Sequence, residues 1–135
     1  MIQRIQTVWL LLGAVACAYG AWMHSTAPGS AEWVATAALA GFSLAGLLGV
    51  AAIFLYQNRD TQRKVALGAQ YVVLLALGAA AFGLWQHSQA ADMAALTTTD
   101  WVFVALPLVG FVLFRQGRRG VESDIKLLKS VDRLR

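Results

Sequence analysis

The polar segment Gln57–Lys64 (QNRDTQRK) constrains the fold of this chain more than any other feature. Two long uncharged apolar runs, Trp33–Tyr56 and Val65–Trp85, lie on either side of it. Charged side chains are costly in hydrocarbon, so such a segment must lie at a membrane surface with a spanning helix on each side. Cytoplasmic loops are enriched in Lys and Arg, so its cations predict the cytoplasmic surface. These cations are Arg59, Arg63 and Lys64.

The composition agrees with a membrane protein. Of the 135 residues, 59% are hydrophobic and 13% are charged, whereas a soluble domain has roughly 45–50% apolar and 25% charged residues. The net charge is +4, but the basic residues flank apolar runs and do not form a platform with aromatic residues for stacking bases. The sequence therefore predicts one integral membrane domain over residues 1–135 that contacts lipid and no nucleic acid.

Four spans are predicted, at about residues 5–22, 33–56, 65–85 and 100–116, followed by a cytoplasmic tail over 117–135. The first could be a signal peptide, but its apolar run continues past Cys17, which favours an uncleaved helix. The fourth is short, and Pro107 is expected to kink it. We expect Thr99 or Asp100 to cap the start of this helix.

The tail is predicted to form a helix of its own, because Gly117 and Gly120 are expected to end the fourth span. Its apolar residues fall roughly on one side from about residue 121, which predicts an amphipathic helix along the inner membrane surface or beneath the bundle. Glu122 and Lys126 are expected to form an ion pair. The predicted fold is all-α: a bundle of four transmembrane helices in two antiparallel hairpins, with a short cytoplasmic amphipathic C-terminal helix.

The distribution of charge predicts the threading. All eleven Lys and Arg residues fall in the N-terminal segment, the 57–64 segment and the stretch from Arg115 to the C-terminus, and the loops over 24–32 and 86–100 contain none. This pattern predicts a multi-pass protein of the cell inner membrane whose N- and C-termini are cytoplasmic. Anionic headgroups at the cytoplasmic face are then its expected lipid partners. Four tryptophans are expected to mark the outer ends of the spans: Trp22, Trp33, Trp85 and Trp101.

Small residues recur every four positions in the second span. They are Ala37, Gly41, Ala45 and Gly49, and this spacing places them on one face, where another helix can approach closely. Packing within one bundle is the favoured interpretation. A homo-oligomer or a membrane protein partner on this face is the alternative.

The two ends of the chain contain short motifs that resemble those of a protein family. The start, Met1–Gln6 (MIQRIQ), and the end, residues 130–135 (SVDRLR), together with four spans between them, resemble a domain-of-unknown-function family of small integral membrane proteins from Bacteroidota. The resemblance implies a four-helix architecture and residence in the inner membrane, and it implies no activity. The motif positions include Gln3, Arg4, Gln6, Ser130, Asp132 and Arg133.

Both end motifs are predicted to lie on the cytoplasmic side. One hypothesis is that Asp132 meets Arg4 or Arg133, while Gln3 and Gln6 help to bond the tail beneath the helices. The alternative is a tail that lies loose among the lipid headgroups.

A short internal sequence match relates the first and third spans. Residues 20–25 and 83–88 share the pattern G-x-W-x-H-S, and duplication and chance explain it equally well. The match places His24 and His87 at the same depth, where neighbouring helices could hold haem or a transition metal between them. Neither histidine has a carboxylate or Cys beside it as a further ligand, so loop histidines that contact water are favoured. We therefore predict no cofactor and no metal.

The middle of each span contains no Asp, Glu, Lys, Arg or His, which disfavours a proton- or ion-coupled transporter. The sequence also contains no phosphate-binding loop, no Ser-His-Asp arrangement and no zinc-ligand spacing. An enzyme is therefore not expected. Two functions stay open: a non-enzymatic accessory, scaffold or assembly subunit, which is favoured, and a protein that binds a small molecule, lipid, haem or quinone.

Overall fold

The computed structural model describes the backbone of residues 2–26, 32–90 and 97–133, and the side chains of 5–23, 33–89 and 97–133. The helices are α1 (Ile2–Thr26), α2 (Glu32–Phe54), α3 (Arg59–Ala90) and α4 (Thr98–Arg133), and this described part contains no strand. All four are long and apolar enough to cross a membrane. The predicted all-α four-helix bundle is confirmed, and the chain is a multi-pass membrane protein.

The helices form a ring in which each one packs against the next. α1 contacts α2 and α4, and α3 contacts the same two helices, so α1 and α3 lie diagonally opposite. Neighbouring helices are antiparallel, which is the up-down-up-down arrangement of a helix bundle. Residues 2–7, 53–63 and 117–133 therefore lie at one end of the bundle, which we call the basic end because most of the cations lie there.

The outer surface of the bundle is apolar. Leu47, Phe54 and Leu75 are among the most exposed side chains, with Phe54 75% exposed. Large apolar side chains in such number on the outside of a protein indicate a surface that contacts lipid rather than water.

The core consists of small residues around two phenylalanines, Phe42 and Phe114. The Phe114 ring fits between two glycines on other helices: a Cβ atom on Gly13 of α1 would lie 2.8 Å from it, and one on Gly49 of α2 would lie 2.6 Å from it. Three helices meet at this ring, because only glycine leaves room for it.

The small-residue face of α2 lies mostly inside the bundle. A Cβ atom on Gly41 would lie 3.0 Å from the Cβ of Ala76 on α3. Ala45 is fully buried, and Gly49 packs against Phe114. Ala37 is the exception, since it is exposed. Three of the four positions thus serve contacts within one chain.

The expectation that Gly117 and Gly120 end the fourth helix is wrong. α4 runs without a break through Gly117 and Gly120 for 36 residues, or about 54 Å at 1.5 Å per residue, although a bilayer core is only about 30 Å thick. The two glycines do not end the helix, because they are points of close approach: Gly117 packs on Leu10 and Gly120 on Gln6 of α1. The amphipathic C-terminal segment is therefore the last part of α4, not a separate helix.

Polar residues cap the starts of α3 and α4. The Asn58 Oδ1 accepts a hydrogen bond from the Thr61 backbone N–H at 3.2 Å. Thr97 precedes α4, and its backbone N–H and its hydroxyl both donate to the Asp100 Oδ2 at 2.8 Å. Asp100, one of the two expected capping residues, is the third residue of α4, and its carboxylate accepts from the residue that precedes the helix. This is the carboxylate half of a capping box.

Candidate functional site

Buried polar side chains converge at the basic end. Of the four that the structure describes as buried, three line one cavity: Gln6 from α1, Gln62 from α3 and Asp124 from α4. The cavity has a volume of about 390 Å³, within the range of roughly 300–1,000 Å³ that is usual for small-molecule sites. Its lining is completed by Thr7, Ile53, Tyr56 and Arg59.

Local structure explains why these side chains meet. The turn after α2 reverses the chain at Asn58, whose carbonyl accepts from the Gln62 N–H at 2.9 Å, so Arg59 and Gln62 fall in the first turn of α3. Asp124 continues the buried face of α4, three residues after Val121. Residues spaced by three and four share one face of a helix, and that face is directed at α1.

The cavity holds polar groups that lack protein partners. Asp124 is only 7% exposed, and it forms no ion pair with any residue that the structure describes. Gln6 is 4% exposed, and its amide Nε2 has no hydrogen-bond partner. Burying a polar group without a partner is unfavourable, and burying an unpaired charge is more so. The site therefore has unused capacity to bind hydrogen-bond donors and acceptors.

A second, wider cavity of about 550 Å³ adjoins the first. It lies between the α2–α3 turn, residues 57–60, and the α4 residues Ile125, Leu128 and Lys129. Arg59 lines both cavities, so this cation of the predicted basic loop occupies a defined position at the site. Arg63 and Lys64 are exposed and line neither cavity.

The C-terminal motif residues lie beyond the cavity. Asp132 and Arg133 are exposed at the end of α4, and the Ser130 hydroxyl donates to the Leu127 carbonyl at 2.7 Å. The backbones of Gln3 and Arg4 belong to the first turn of α1, and their side chains lie outside the described part.

The register between α1 and α4 bears on the hypothesis that Asp132 and the glutamines of the N-terminal motif hold the tail beneath the helices. Gln6 lies opposite Gly120 and Leu10 opposite Gly117, which sets Gln3 level with residue 124. Asp132 is eight residues further along, or about 12 Å at 1.5 Å per residue. The tail thus contacts α1 through Gly117, Gly120 and the residues near them, not through Asp132.

One predicted ion pair is replaced by another. Glu122 pairs with Arg118 at 3.1 Å, one turn toward the start of α4, and not with Lys126. Both Arg118 and Glu122 are partly buried.

The backbones of the two histidines belong to helices that are not neighbours. His24 lies in α1 and His87 in α3, which are diagonal to each other. Contacts of Gly20 with Phe42 and of Gly41 with Ala76 set the His24 backbone level with about residue 79 of α3. The His87 backbone is then about 12 Å further along the bundle at 1.5 Å per residue, so the shared haem or metal site gains no geometric support.

No described group of three or more His, Cys, Asp or Glu side chains could hold a metal ion.

At the end opposite the basic end, Trp33, Phe82 and Trp85 form a cluster with ring centroids 5.5 and 5.6 Å apart. By the same register, Trp22 lies about two turns deeper than Trp33.

Sequence reasoning missed most of the site. It named Gln6 and Arg59 as motif or loop residues, but it assigned nothing to Gln62 or Asp124. One signal was present: Asp124 falls on the same face as Val121, where an apolar residue would be expected. Gln70 of α3 is also buried, and its Oε1 has no partner.

The fold and the cavity define a class: a four-helix integral membrane protein with a polar cavity at one end. Residues 18–134 match the family model described as Domain of unknown function (DUF4293), which covers most of the chain, and the protein belongs to that family. The expected membership of a domain-of-unknown-function family is confirmed, although the start motif precedes the matched residues. No curated protein and no solved structure matches the chain.

Proposed function

We propose that this is an inner-membrane protein with cytoplasmic termini that binds a small polar ligand at its basic end without catalysing a reaction. This is the second of the two functions that the sequence leaves open. The observation that carries it is the cavity of about 390 Å³ lined by Asp124, which is 7% exposed and pairs with no described cation, and by the Gln6 amide, whose buried Nε2 has no hydrogen-bond partner. Buried polar groups in proteins nearly always have partners, and a ligand would supply them here.

Two further features support binding at this place. All four helices contribute residues to the lining of the cavity. The position of each of these side chains is therefore fixed by the packing of the bundle. The lining offers amides, hydroxyls and one charge of each sign, which suit the orientation of a polar molecule by several hydrogen bonds.

Ligand retention tests the proposal. The protein is released from membranes in mild detergent and its mass is measured by native mass spectrometry. We expect a stoichiometric small molecule on the wild-type chain. Ile53→Trp should remove it by filling the cavity, whereas Phe54→Trp should not, because Phe54 is 75% exposed on the outside of the bundle. Absence of any retained molecule, or equal retention by both variants, would overturn the proposal.

A second candidate function is the accessory, scaffold or assembly role. It is favoured by the end of α4, where Leu127, Leu128 and Val131 are exposed among basic residues. Such an amphipathic surface suits anionic lipid or a membrane protein partner. Replacing these three residues by Ser should release partner proteins that co-purify in mild detergent, and Ile53→Trp should retain them. The opposite pattern would favour the cavity as the functional site.

A further inference from the structure

The cavity at the basic end contains one charged side chain of each sign. Asp124 supplies the negative charge and Arg59 the positive charge, and the other lining residues are neutral. Asp124 is buried and Arg59 is partly buried. Within the part of the chain that the structure describes, only Arg118 and Glu122 form a salt bridge. Asp124 and Arg59 therefore border the same space without pairing with each other.

Two opposite charges that line one cavity without pairing match a ligand that carries both. A simple anion could pair with Arg59, but it would be repelled by Asp124. A simple cation could pair with Asp124, but it would be repelled by Arg59. A molecule with an ammonium group next to an anionic group would satisfy both at once, because charge-assisted hydrogen bonds form at each end.

We propose that the cavity binds a zwitterion whose primary ammonium donates hydrogen bonds to the Asp124 carboxylate and whose phosphate or carboxylate accepts from the Arg59 guanidinium. The Gln6 Nε2 donates a further hydrogen bond to the anionic group. This inference rests on the proposed ligand-binding function and names the chemical class of the ligand.

The depth of the cavity suits this chemistry. A Cβ atom on Gly110 would lie 4.0 Å from Val73, and this register sets Lys64 level with Arg119 and Arg59 level with Asp124. The cavity thus lies five residues, or about 7.5 Å at 1.5 Å per residue, beyond the cations at Lys64 and Arg119. The cations and the cavity would both lie in the headgroup region of the bilayer if the basic end faces the cytoplasm.

Two sources share the chemistry: a phospholipid with an ethanolamine headgroup, and a water-soluble zwitterion. Full-length protein in detergent is titrated with lipids that have identical acyl chains and an ethanolamine, choline or glycerol headgroup, and separately with phosphoethanolamine. Native mass spectrometry reports bound lipid, and the melting temperature reports binding of the soluble probe.

We expect the ethanolamine lipid to bind at least about tenfold more tightly than the choline lipid, because a trimethylated ammonium has no N–H to donate to Asp124. Binding of the ethanolamine lipid alone identifies a lipid as the source. Binding of phosphoethanolamine identifies a water-soluble zwitterion as the source. Equal binding of the ethanolamine and choline compounds would overturn the inference.

Charge variants give a second, independent test. Asp124→Asn and Arg59→Gln should each weaken binding of the preferred compound about tenfold, the loss expected for one charged hydrogen bond. Asp132→Asn and Arg63→Gln remove exposed charges of the same kind outside the cavity, and they should leave binding unchanged. Arg59 is only partly buried, so its variant should fold even if the Asp124 variant does not. Equal effects of cavity and control variants would contradict the inference.

The outcomes separate this inference from the function on which it rests. If the wild-type protein retains a small molecule that Ile53→Trp removes, but it does not distinguish ethanolamine from choline, the zwitterion is wrong and the binding function stands. If the protein retains no small molecule and binds neither probe, both are wrong.

Discussion

At the scale of single residues, the bundle depends on side chains that fill spaces left by glycine. The Phe114 ring is fully buried, and Gly13 and Gly49 lie against it from two other helices. Small residues allow helices to approach closely in a membrane, where association depends on packing and hydrogen bonds rather than on the hydrophobic effect. A single methyl group added to either glycine should therefore press on the Phe114 ring.

Gly49→Ala should destabilise the protein. The new Cβ would lie 2.6 Å from the Phe114 ring, and overpacking of this kind costs about 1–3 kcal/mol. Gly78→Ala is the matched control, because a Cβ atom there meets nothing within 4 Å. Thermal unfolding in detergent measures both variants. A Gly49→Ala melting temperature equal to that of the control would show that the ring moves aside at little cost.

At the scale of helices, the contact between α1 and α4 decides what lies at the basic end. Gly117 and Gly120 permit Leu10 and Gln6 to pack directly on the α4 backbone. Glycine near the end of an apolar run commonly ends a helix, and this was the basis for expecting a break. Close packing against α1 offsets the low helix propensity of glycine, so α4 continues and brings Asp124 to the cavity.

Cysteine crosslinking tests this register. In a background in which Cys17 is replaced by Ala, the pair Gln6→Cys and Gly120→Cys should form an intrachain disulfide on oxidation. The pair Gln3→Cys and Asp132→Cys should not, because the Cα atoms of a disulfide lie within about 7 Å of each other and these positions are separated by about 12 Å along the bundle. Gel mobility with and without reductant reads the result. A crosslink of the second pair alone would mean that the tail folds back on α1.

At the scale of the whole molecule, lipid is the solvent for the bundle surface, and the distribution of cations predicts its orientation. The apolar outer surface and the four long helices are properties of the structure, whereas the side of the membrane is inferred from charge. The proposed function depends on that side, because it determines which aqueous compartment can deliver a ligand to the basic end.

A reporter at the C-terminus tests the orientation. A fluorescent protein that folds only in the cytoplasm should be bright when fused after residue 135, and alkaline phosphatase, which is active only outside the cytoplasm, should be inactive there. The expectation follows from the exclusion of Lys and Arg from the two loops on the other side. Active phosphatase at this position would reverse the threading and place the cavity on the outer side.

The sequence by itself determined that the chain is an all-α, four-helix membrane protein, since the length and apolarity of each run are local properties that hydrocarbon alone selects. The pattern of charge also predicted which chain segments share one end of the bundle. Only the tertiary structure decided that α4 is continuous and that Gln6, Gln62, Arg59 and Asp124 line one cavity. The physical reason is that helix register depends on which small residues pack together, and such pairings across distant segments leave no local pattern in the sequence.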